Sequence, residues 1–471
     1  MSTFGALNTA YRGLTAAQQG MSVAGQNIAN AATEGYTRQR VQQSSIAAPA
    51  QGLFGSGRPQ AGNGVSVDGI ARLGSSFLDA GVRSAGAQAG YASARSSALQ
   101  GIEGILQEPG ANGTSTGLLE FWSGWQGASN QPDDATAKGL VLQAGNDLAT
   151  KVSSSYRALE TQWSSVRGQA EGAVQTVNAA ATQVAAYNTS IRSTLAAGGS
   201  ANELIDARAK LTETISRLAG GTVREQADGT VDVLVGGNAL VMGSSVRTLQ
   251  LAGATKLADA NGNPTRLEWT EPTGTAGFDG GEIAGSLSVL APAAKGGAIA
   301  SAADAFNQFA SKLGDAVNAL HSGGQTSTGP APAAGNFFSY STTNPALTLA
   351  VVPADTDGIA VGVAGAGQLD GSLADKISQL GTGPGSPDNL WESVVTGIGV
   401  QSRGAQQHES LTSAAEISAQ SSRASQASVS LDEENVSLLT NQRAYQAAAR
   451  VMTAVDEALD VLINRTGLVG R

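Results

Sequence analysis

Residues 7–31 read LNTAYRGLTAAQQGMSVAGQNIANA, a stretch in which one large apolar residue recurs every seven positions. These large residues are Leu7, Leu14, Met21 and Ile28, and an alanine follows each of them by three positions. Alternating steps of three and four place every member of the set on one face of an α-helix, which is the spacing of a coiled-coil stripe. The stretch therefore predicts an amphipathic helix that pairs with another helix.

The C-terminal region carries the matching pattern. Large residues again lie seven positions apart, at Leu431, Leu438, Tyr445, Met452 and Leu459, and the last three of them are each followed after three positions by Ala448, Val455 and Leu462. Carboxylates at 432–434 would lie in the first helical turn, where the helix dipole stabilises negative charge, so a helix should begin near residues 429–431. We predict that the two rows pack together and, with Tyr11, form the assembly surface of the protein.

Three glycines inside the N-terminal stretch indicate a helix that is weak on its own. Gly13, Gly20 and Gly25 each cost about 1 kcal/mol of helix propensity relative to alanine. Arg12 is the one charged residue among the first thirty, whereas a surface helix normally exposes several charges. We expect the terminal helices to fold on assembly with neighbouring copies. The alternative is that both helices lie in one ordinary helical core.

The middle of the chain predicts more helices and one excursion into strands. Apolar periodicity predicts helices at 75–107, 147–196, 203–219, 284–320 and 390–425. A helix over 147–196 would be about 75 Å long, so the molecule should be elongated. Turn residues at 228–229 and 236–238 predict β-hairpins within 222–282, with Leu267 and Trp269 in a later strand and another strand-like piece at 347–352. Residues 48–64 are predicted as a loop and 321–390 as an irregular segment. The predicted fold class is mainly α with a small β domain.

Two polar positions are interpreted as helix ends. Asp133 and Asp134 follow a proline and are typical of an N-cap and a first helical turn. His321 follows the last apolar residue of the helix predicted over 284–320, and we interpret it as a C-terminal cap.

Composition excludes several classes of protein. The 471 residues include 28 basic and 38 acidic ones, a net charge of -10, so no basic field is available for nucleic acid or anionic lipid. The absence of cysteine excludes disulfides and thiolate nucleophiles. No run of about 18 apolar residues predicts insertion into a membrane. The N-terminal residues also lack the basic and apolar regions of a cleavable secretory signal.

Partial motifs do not amount to a catalytic or metal site. His408 and Glu409 resemble the start of the zinc-protease pattern H-E-x-x-H, but position 412 is threonine. Asp259 begins an arrangement similar to a calcium-binding loop, but the glycine required at its sixth position is Pro264. We therefore expect no catalytic residue, no cofactor and no metal.

Residues 27–39, NIANAATEGYTRQ, carry a resemblance to a known family. The matching positions are Asn27, Asn30, Thr33, Gly35 and Tyr36. They resemble the N-terminal motif of flagellar axial proteins, the family of rod, hook and hook-associated subunits. The following Thr37, Arg38 and Gln39 make the motif similar to the hook-associated members at the hook–filament junction. Residues 430–434, 442–451 and 459–464 are similar to the C-terminal helix of the same family.

The resemblance implies a domain organisation. It implies a terminal assembly domain of residues 1–45 with 429–471, and a long-helix domain of 46–221 with 283–428 that contains the irregular segment. Residues 222–282 would form a small outer β domain.

The resemblance also implies a function. The chain would be a non-enzymatic structural adaptor that joins hook to filament, assembles with its own copies, and contacts hook protein and the second junction protein. It would pass through the flagellar export apparatus with an export chaperone, without a cleaved signal peptide, and reside in the extracellular flagellum. Two alternatives stay open: another axial subunit of hook or filament type, and a secreted adhesin or hydrolase.

Overall fold

The computed structural model of the protein describes residues 3–47, 62–326, 334–461 and 463. Within these ranges the chain is mainly helical, elongated and multidomain, as its sequence predicts. Most of the predicted loop 48–64, part of the segment 321–390, and Leu462 lie outside the described residues.

The helices of the described ranges are numbered in chain order. They are α1 (Thr3–Ala29), α2 (Ser76–Leu106), α3 (Thr114–Asn130), α4 (Ala135–Ala196), α5 (Asn202–Ala219), α6 (Gly281–Leu290), α7 (Ala298–His321), α8 (Pro345–Thr348), α9 (Ser372–Ser378), α10 (Pro387–Ala427) and α11 (Leu431–Asp460).

The longest helix, α4, has 62 residues and is about 93 Å long. It begins twelve residues before the predicted start at 147, because the Asp134 side chain caps it by accepting a hydrogen bond from the Thr136 backbone N–H at 2.8 Å. The interpretation of Asp134 as an N-cap is confirmed.

The strands form small antiparallel sheets. They are β1 (Gln39–Ser45) with β2 (Val65–Arg72); β3 (Thr222–Glu225), β4 (Val231–Val235), β5 (Asn238–Met242) and β6 (Ser245–Val246) in chain order; β7 (Leu249–Ala252), β8 (Arg266–Trp269) and β9 (Gly274–Thr275); β10 (Gly324–Gln325) with β13 (Gly362–Val363); and β11 (Phe338–Ser339) with β12 (Ala350–Val351). The predicted turns connect β3 to β4 and β4 to β5. The β1–β2 pair is an element that the sequence did not predict.

The strands of 222–282 do not have a core of their own. Val233 and Leu240 are buried in the same cluster as Val177 and Val184 of α4 and Ile215 of α5. A second, larger cluster joins α2, α3, the first half of α4, α7 and α10 with the segment after α7. Because α4 contributes to both clusters, it connects them mechanically.

The helix predicted over 284–320 is in fact two helices, α6 and α7. Pro292 cannot continue the hydrogen bonding of α6, and Gly296 adopts a positive φ of 81°. At Gly297 a Cβ atom would lie 1.7 Å from the carbonyl oxygen of Ala291, so only glycine fits this turn. The strand-like piece 347–352 is also partly wrong, since α8 takes its first two residues and β12 is only Ala350–Val351.

His321 does not cap α7, so that interpretation is wrong. The side chain is fully buried, and its Nδ1 lies 2.8 Å from the Gly335 carbonyl oxygen while its Nε2 accepts from the Ala360 N–H at 3.1 Å. The ring contacts Trp125 and Phe337 edge-on. His321 therefore links Gly335 and Ala360, in the segment after α7, to the aromatic core.

Candidate assembly interface

Helices α1 and α11, together called the terminal pair, lie antiparallel with a seven-residue register. Gly13 faces Ala448, Gly20 faces Asn441, and the side chain of Asn27 reaches Glu434. Each step of seven forward in α1 is a step of seven backward in α11. The two ends of the chain thus form an antiparallel coiled-coil-like pair.

On α1 the fully buried positions are occupied by small or medium residues. They are Ala10, Ala16, Ala17, Gly20, Val23, Ala24 and Asn27. The large residues of the predicted row, Leu7, Leu14, Met21 and Ile28, are only half-buried. At Gly13 and Gly20, α11 lies against small residues of α1. The packing of one large row against the other stays a prediction.

On α11 the predicted positions form the half-buried face. Leu438, Tyr445, Met452, Val455 and Leu459 are half-buried, and most residues between them are exposed. Two other predicted interface residues are open to solvent, with Tyr11 exposed by 59% and Leu431 by 51%.

Asn27 lies at the base of the terminal pair and uses all of its hydrogen-bonding capacity. Its Nδ2 donates to the Glu434 carboxylate at 3.0 Å and to the Gln39 carbonyl oxygen at 2.9 Å. Its Oδ1 accepts from the Tyr36 hydroxyl at 2.8 Å and from the Gln39 N–H at 3.0 Å. The residue is 1% exposed, so this amide joins α1, the segment after it and α11 while it is itself shielded from solvent.

Arg38 adds further bonds at the base of the terminal pair. Its Nε donates to Glu434 at 2.7 Å and its Nη1 to Glu433 at 2.6 Å. Its backbone N–H donates to the carbonyl oxygen of Ala427, the last residue of α10, at 2.9 Å. Burial works to lower the pKa of Arg38, but its bonds to the two carboxylates outweigh burial and raise it, so Arg38 stays charged.

The segment Tyr36–Gln39, here called the connector, is bound on its opposite side by α5. The Thr37 N–H donates to Asp206 at 2.9 Å. The Gln39 side chain donates to Glu203 at 3.1 Å and accepts from Asn202 at 3.2 Å. Residues of the connector thus alternate between contacts to the terminal pair and contacts to α5.

Asp206 extends the network from the connector to α2. It accepts from Arg72 Nε at 2.6 Å, and Arg72 also pairs with Asp79 at 3.4 Å. Burial opposes the charge of Arg72, but its hydrogen bond to Asp206 and the charges of both aspartates raise its pKa overall. The described residues between 76 and 427 are here called the body. The Thr37 N–H ties the connector to the body at Asp206, and the buried ion pairs of Arg72 tie β2 to it.

Tyr36 is half-buried in this network. Burial, followed by the negative charges of Glu203, Asp206 and Glu434, raises the pKa of Tyr36 to about 12. The phenol therefore remains a hydrogen-bond donor to Asn27 at all physiological pH values.

The remaining motif residues shape the turn between α1 and the connector. Asn30 donates to the Gln26 carbonyl oxygen at 3.0 Å and accepts from Thr33 at 3.3 Å. Gly35 has a φ of 79°, and a Cβ there would lie 2.3 Å from Cε of Lys210. These three residues act locally, whereas Asn27 and the connector make the long-range contacts.

Sequence reasoning missed the residues that the motif contacts. Glu434 was interpreted only as a first-turn carboxylate, and nothing in the sequence links Asp206 or Arg72 to the motif. The one available signal is the motif itself. Its many polar side chains follow an apolar helix, and if they are buried they require hydrogen-bond partners elsewhere in the chain.

The described ranges contain neither a membrane-spanning helix nor a cluster of metal-binding side chains. No helix among these residues is long and apolar enough to cross a membrane. The same part of the chain contains no group of three or more acidic or histidine side chains that could hold a metal ion.

Comparison with known proteins gives a consistent result. The model of the flagellar hook-associated protein FlgK helical domain matches residues 99–338, just over half of the chain. The model of the flagella basal body rod protein matches residues 7–37, and that of the flagellar basal body rod FlgEFG protein C-terminal region matches 420–465. The last two matches cover all of α11 and all but the first four residues of α1.

Individual relatives agree with the family models. The chain is 27% identical to flagellar hook-associated protein 1 of Bacillus subtilis, over all of both chains. It is 30% identical to the protein of that name from Escherichia coli, over 58% of this chain and 48% of that one. The solved structure of the flagellar hook junction protein FlgK from Burkholderia pseudomallei shares the fold, with a TM-score of 0.62 at 14% identity over 74% of this chain and 100% of that one.

Proposed function

Because the chain belongs to the FlgK family of flagellar hook-associated proteins, structural components of the flagellar axis, we propose that it polymerises through its terminal pair. In this role it is an adaptor subunit that joins hook to filament.

One observation carries the proposal: the terminal pair leaves its large apolar residues half-buried. Two helices pack against each other on one face only, so the rows Leu7–Ile28 and Leu438–Leu459 have incomplete cover. Beside them Leu439, Val436 and Val451 are exposed by 54%, 64% and 49%. Half-buried and exposed apolar residues of this kind on a helix pair favour contact with further helices.

Further copies of the same pair are the simplest source of those helices. A head-to-tail contact between two different faces builds rings or open helical arrays, which is the symmetry needed in a tube. The same contact would allow the chain to meet related helices of hook protein on one side and the second junction protein on the other.

Several finer points belong to the same proposal. The chain would act without enzymatic activity, leave the cell through the flagellar export apparatus with an export chaperone, and keep its N-terminus uncleaved. Residues 1–45 with 429–471 would be the assembly domain, 46–221 with 283–428 the long-helix domain, and 222–282 the outer β domain.

Two leucines of similar exposure allow a matched test of the interface. Leu439 lies on α11, and Leu119, exposed by 69%, lies on α3 in the body. Glutamate at either position adds a charge without opening a core. We expect Leu439→Glu to abolish incorporation at the junction and swimming, and Leu119→Glu to retain both, in a strain whose own copy is deleted.

Immunolabelling of the hook–filament junction and swimming halos on soft agar provide the readouts, and thermal unfolding of both purified variants checks the fold. Normal junctions with Leu439→Glu would contradict polymerisation through the terminal pair. If both variants fail to incorporate, the assembly interface is not confined to the terminal pair, which contradicts the proposal. Label along the whole filament would favour the alternative of a filament-type subunit.

A further inference from the structure

We propose that Asn27 is a positioning residue, which holds the terminal pair at one fixed angle to the body. The role of this angle in building a tube of subunits rests on the proposed function above. The angle itself is a property of the single chain and can be measured without assembly.

The contacts of Asn27 lie where the terminal pair leaves the body. The chain passes between the two at 30–38 and again at 428–430, and both passages meet at this point. Asn27 bonds to the connector by three hydrogen bonds and to the first turn of α11 by one. Glu434 in turn places one carboxylate oxygen on Asn27 and the other on Arg38.

The connector transmits this constraint to the body because its contacts point both ways. Asn27 and Glu434 bind one side through Tyr36, Arg38 and Gln39, while α5 binds the other side. A swing of the terminal pair about the connector would have to break the hydrogen bonds of Asn27, Gln39 and Glu434, which are 1%, 5% and 3% exposed. This is costly because buried polar groups would lose their partners.

Beyond these bonds, α1 packs against strands β1 and β2 over part of its length. Beside this contact, a polar cleft of about 680 Å³ opens between the terminal pair and the hairpin, bordered by Val23, Arg40 and Ser437 and also by Arg38, Gln39 and Glu434. Because this space is available beside the pair, the pair could move toward the hairpin if the bonds at its base were lost. The hydrogen bonds of Asn27 are thus positioned to decide the angle.

The absence of cysteine makes the angle directly measurable. Ser418→Cys on α10 and Gln442→Cys on α11 place one spin label on each side of the base, both at exposed positions. Double electron–electron resonance on the dilute full-length monomer then gives the distribution of distances between the labels. Asn30→Ala is the matched control, since Asn30 is the same residue type, three positions along, with only local hydrogen bonds.

We expect a narrow distribution for the parent and for Asn30→Ala, and a width about twofold greater for Asn27→Ala. Leu439→Glu should keep the narrow width, so a failure of assembly is distinguishable from a failure of positioning. A parent distribution as broad as that of Asn27→Ala would overturn the proposal. Equal widths for Asn27→Ala and Asn30→Ala would do so as well.

Two milder changes decide the case if Asn27→Ala does not fold. Tyr36→Phe removes a single hydroxyl bond to Asn27 and should broaden the distribution by a smaller amount. Asn27→Asp places two carboxylates together, and adding Glu434→Gln restores a donor between them, so the double variant should be narrower than Asn27→Asp. If neither change alters the width, Asn27 does not position the pair.

Discussion

Asn27 and Glu434 are hydrogen-bonded at 3.0 Å although 407 positions separate them in the chain. The bond joins the two ends of the chain at the base of the terminal pair. The residues between α1 and α11 therefore leave this point and return to it. The body can therefore pack its own helices and sheets independently, while the orientation of the pair depends on a few polar groups.

Replacing Glu434 tests how much its bonds at the base of the terminal pair contribute to the free energy of unfolding. Glu434→Gln keeps the shape of the side chain but removes the charge that Arg38 faces at 2.7 Å in a site where Glu434 is 3% exposed. We expect the free energy of unfolding to fall by about 1–3 kcal/mol, because a buried hydrogen bond to a charged group is replaced by a neutral one. Urea unfolding followed by circular dichroism measures the change.

The neighbouring residue is the control. Glu433 pairs with the same arginine at 2.6 Å, but its side chain is 63% exposed. Glu433→Gln should cost less than about 1 kcal/mol, since solvent screens an exposed ion pair. Equal losses for the two variants would mean that burial does not distinguish the two carboxylates.

Two glycines of α1 should respond to substitution with opposite signs. A Cβ at Gly20 would lie 2.4 Å from Oδ1 of Asn441, whereas a Cβ at Gly25 meets nothing within 4 Å. Gly25→Leu should stabilise the helix by up to about 1 kcal/mol through propensity. Gly20→Leu should destabilise the pair by about 1–3 kcal/mol, because the added side chain overpacks the contact and displaces the Asn441 amide from its hydrogen bond to the Ser437 carbonyl oxygen.

Thermal unfolding of the two variants beside the parent gives both signs in one experiment. A rise in melting temperature for Gly20→Leu would show that α11 does not lie against this glycine in solution.

The predictable part of the fold follows from local signals. The start of α11 is predictable because the carboxylates at 432–434 suit a first helical turn, and Ser430 caps the helix, with its Oγ accepting from the Glu433 N–H. The hairpins of 222–282 were predicted because Gly236 and Gly237 both need a positive φ, here 54° and 77°. In each case the decisive residues are adjacent in the sequence.

The unpredicted parts depend on distant residues or on signals that were misjudged. Strand β1, QRVQQSS, has no apolar alternation, and only its pairing with β2 defines it. The approach of α11 to α1 at Gly20 could not be derived from the apolar period, because it depends on Asn441, which is 421 positions away in the chain. The Pro292 break between α6 and α7 was visible in the sequence and should have ended the predicted helix.

Hydrogen exchange should reveal a gradient along α1. Positions 16–27 contain most of its buried residues, and within 4–15 only Ala10 is buried. We expect amides of 4–15 to exchange rapidly in the dilute monomer and those of 16–27 to be protected, because local opening is easiest where little surface is buried. Mass spectrometry of peptic peptides resolves the two halves, and uniform protection along 4–27 would show that the terminal helix needs no neighbours.

Below about pH 6.5 the stability of the body should fall because of His321. Burial lowers the pKa of His321 below its ordinary value of 6.5, and the neutral ring accepts the Ala360 N–H at Nε2. The unfolded chain then binds the proton more tightly than the folded one. The stability contributed by the neutral ring is therefore complete above pH 6.5 and is lost as the pH falls toward the folded-state pKa.

The only other histidine in the chain provides the control for this prediction. His408 is exposed on α10, so His408→Ala should leave the pH dependence of the urea midpoint between pH 7.5 and 5.5 unchanged. His321→Ala should lower the midpoint at pH 7.5, since Ala360 and Gly335 lose their partner, and should flatten the dependence on pH. Carboxylates that titrate in this window are common to both variants, so the difference between them isolates His321. An unaltered slope in His321→Ala would show that its protonation is not linked to folding.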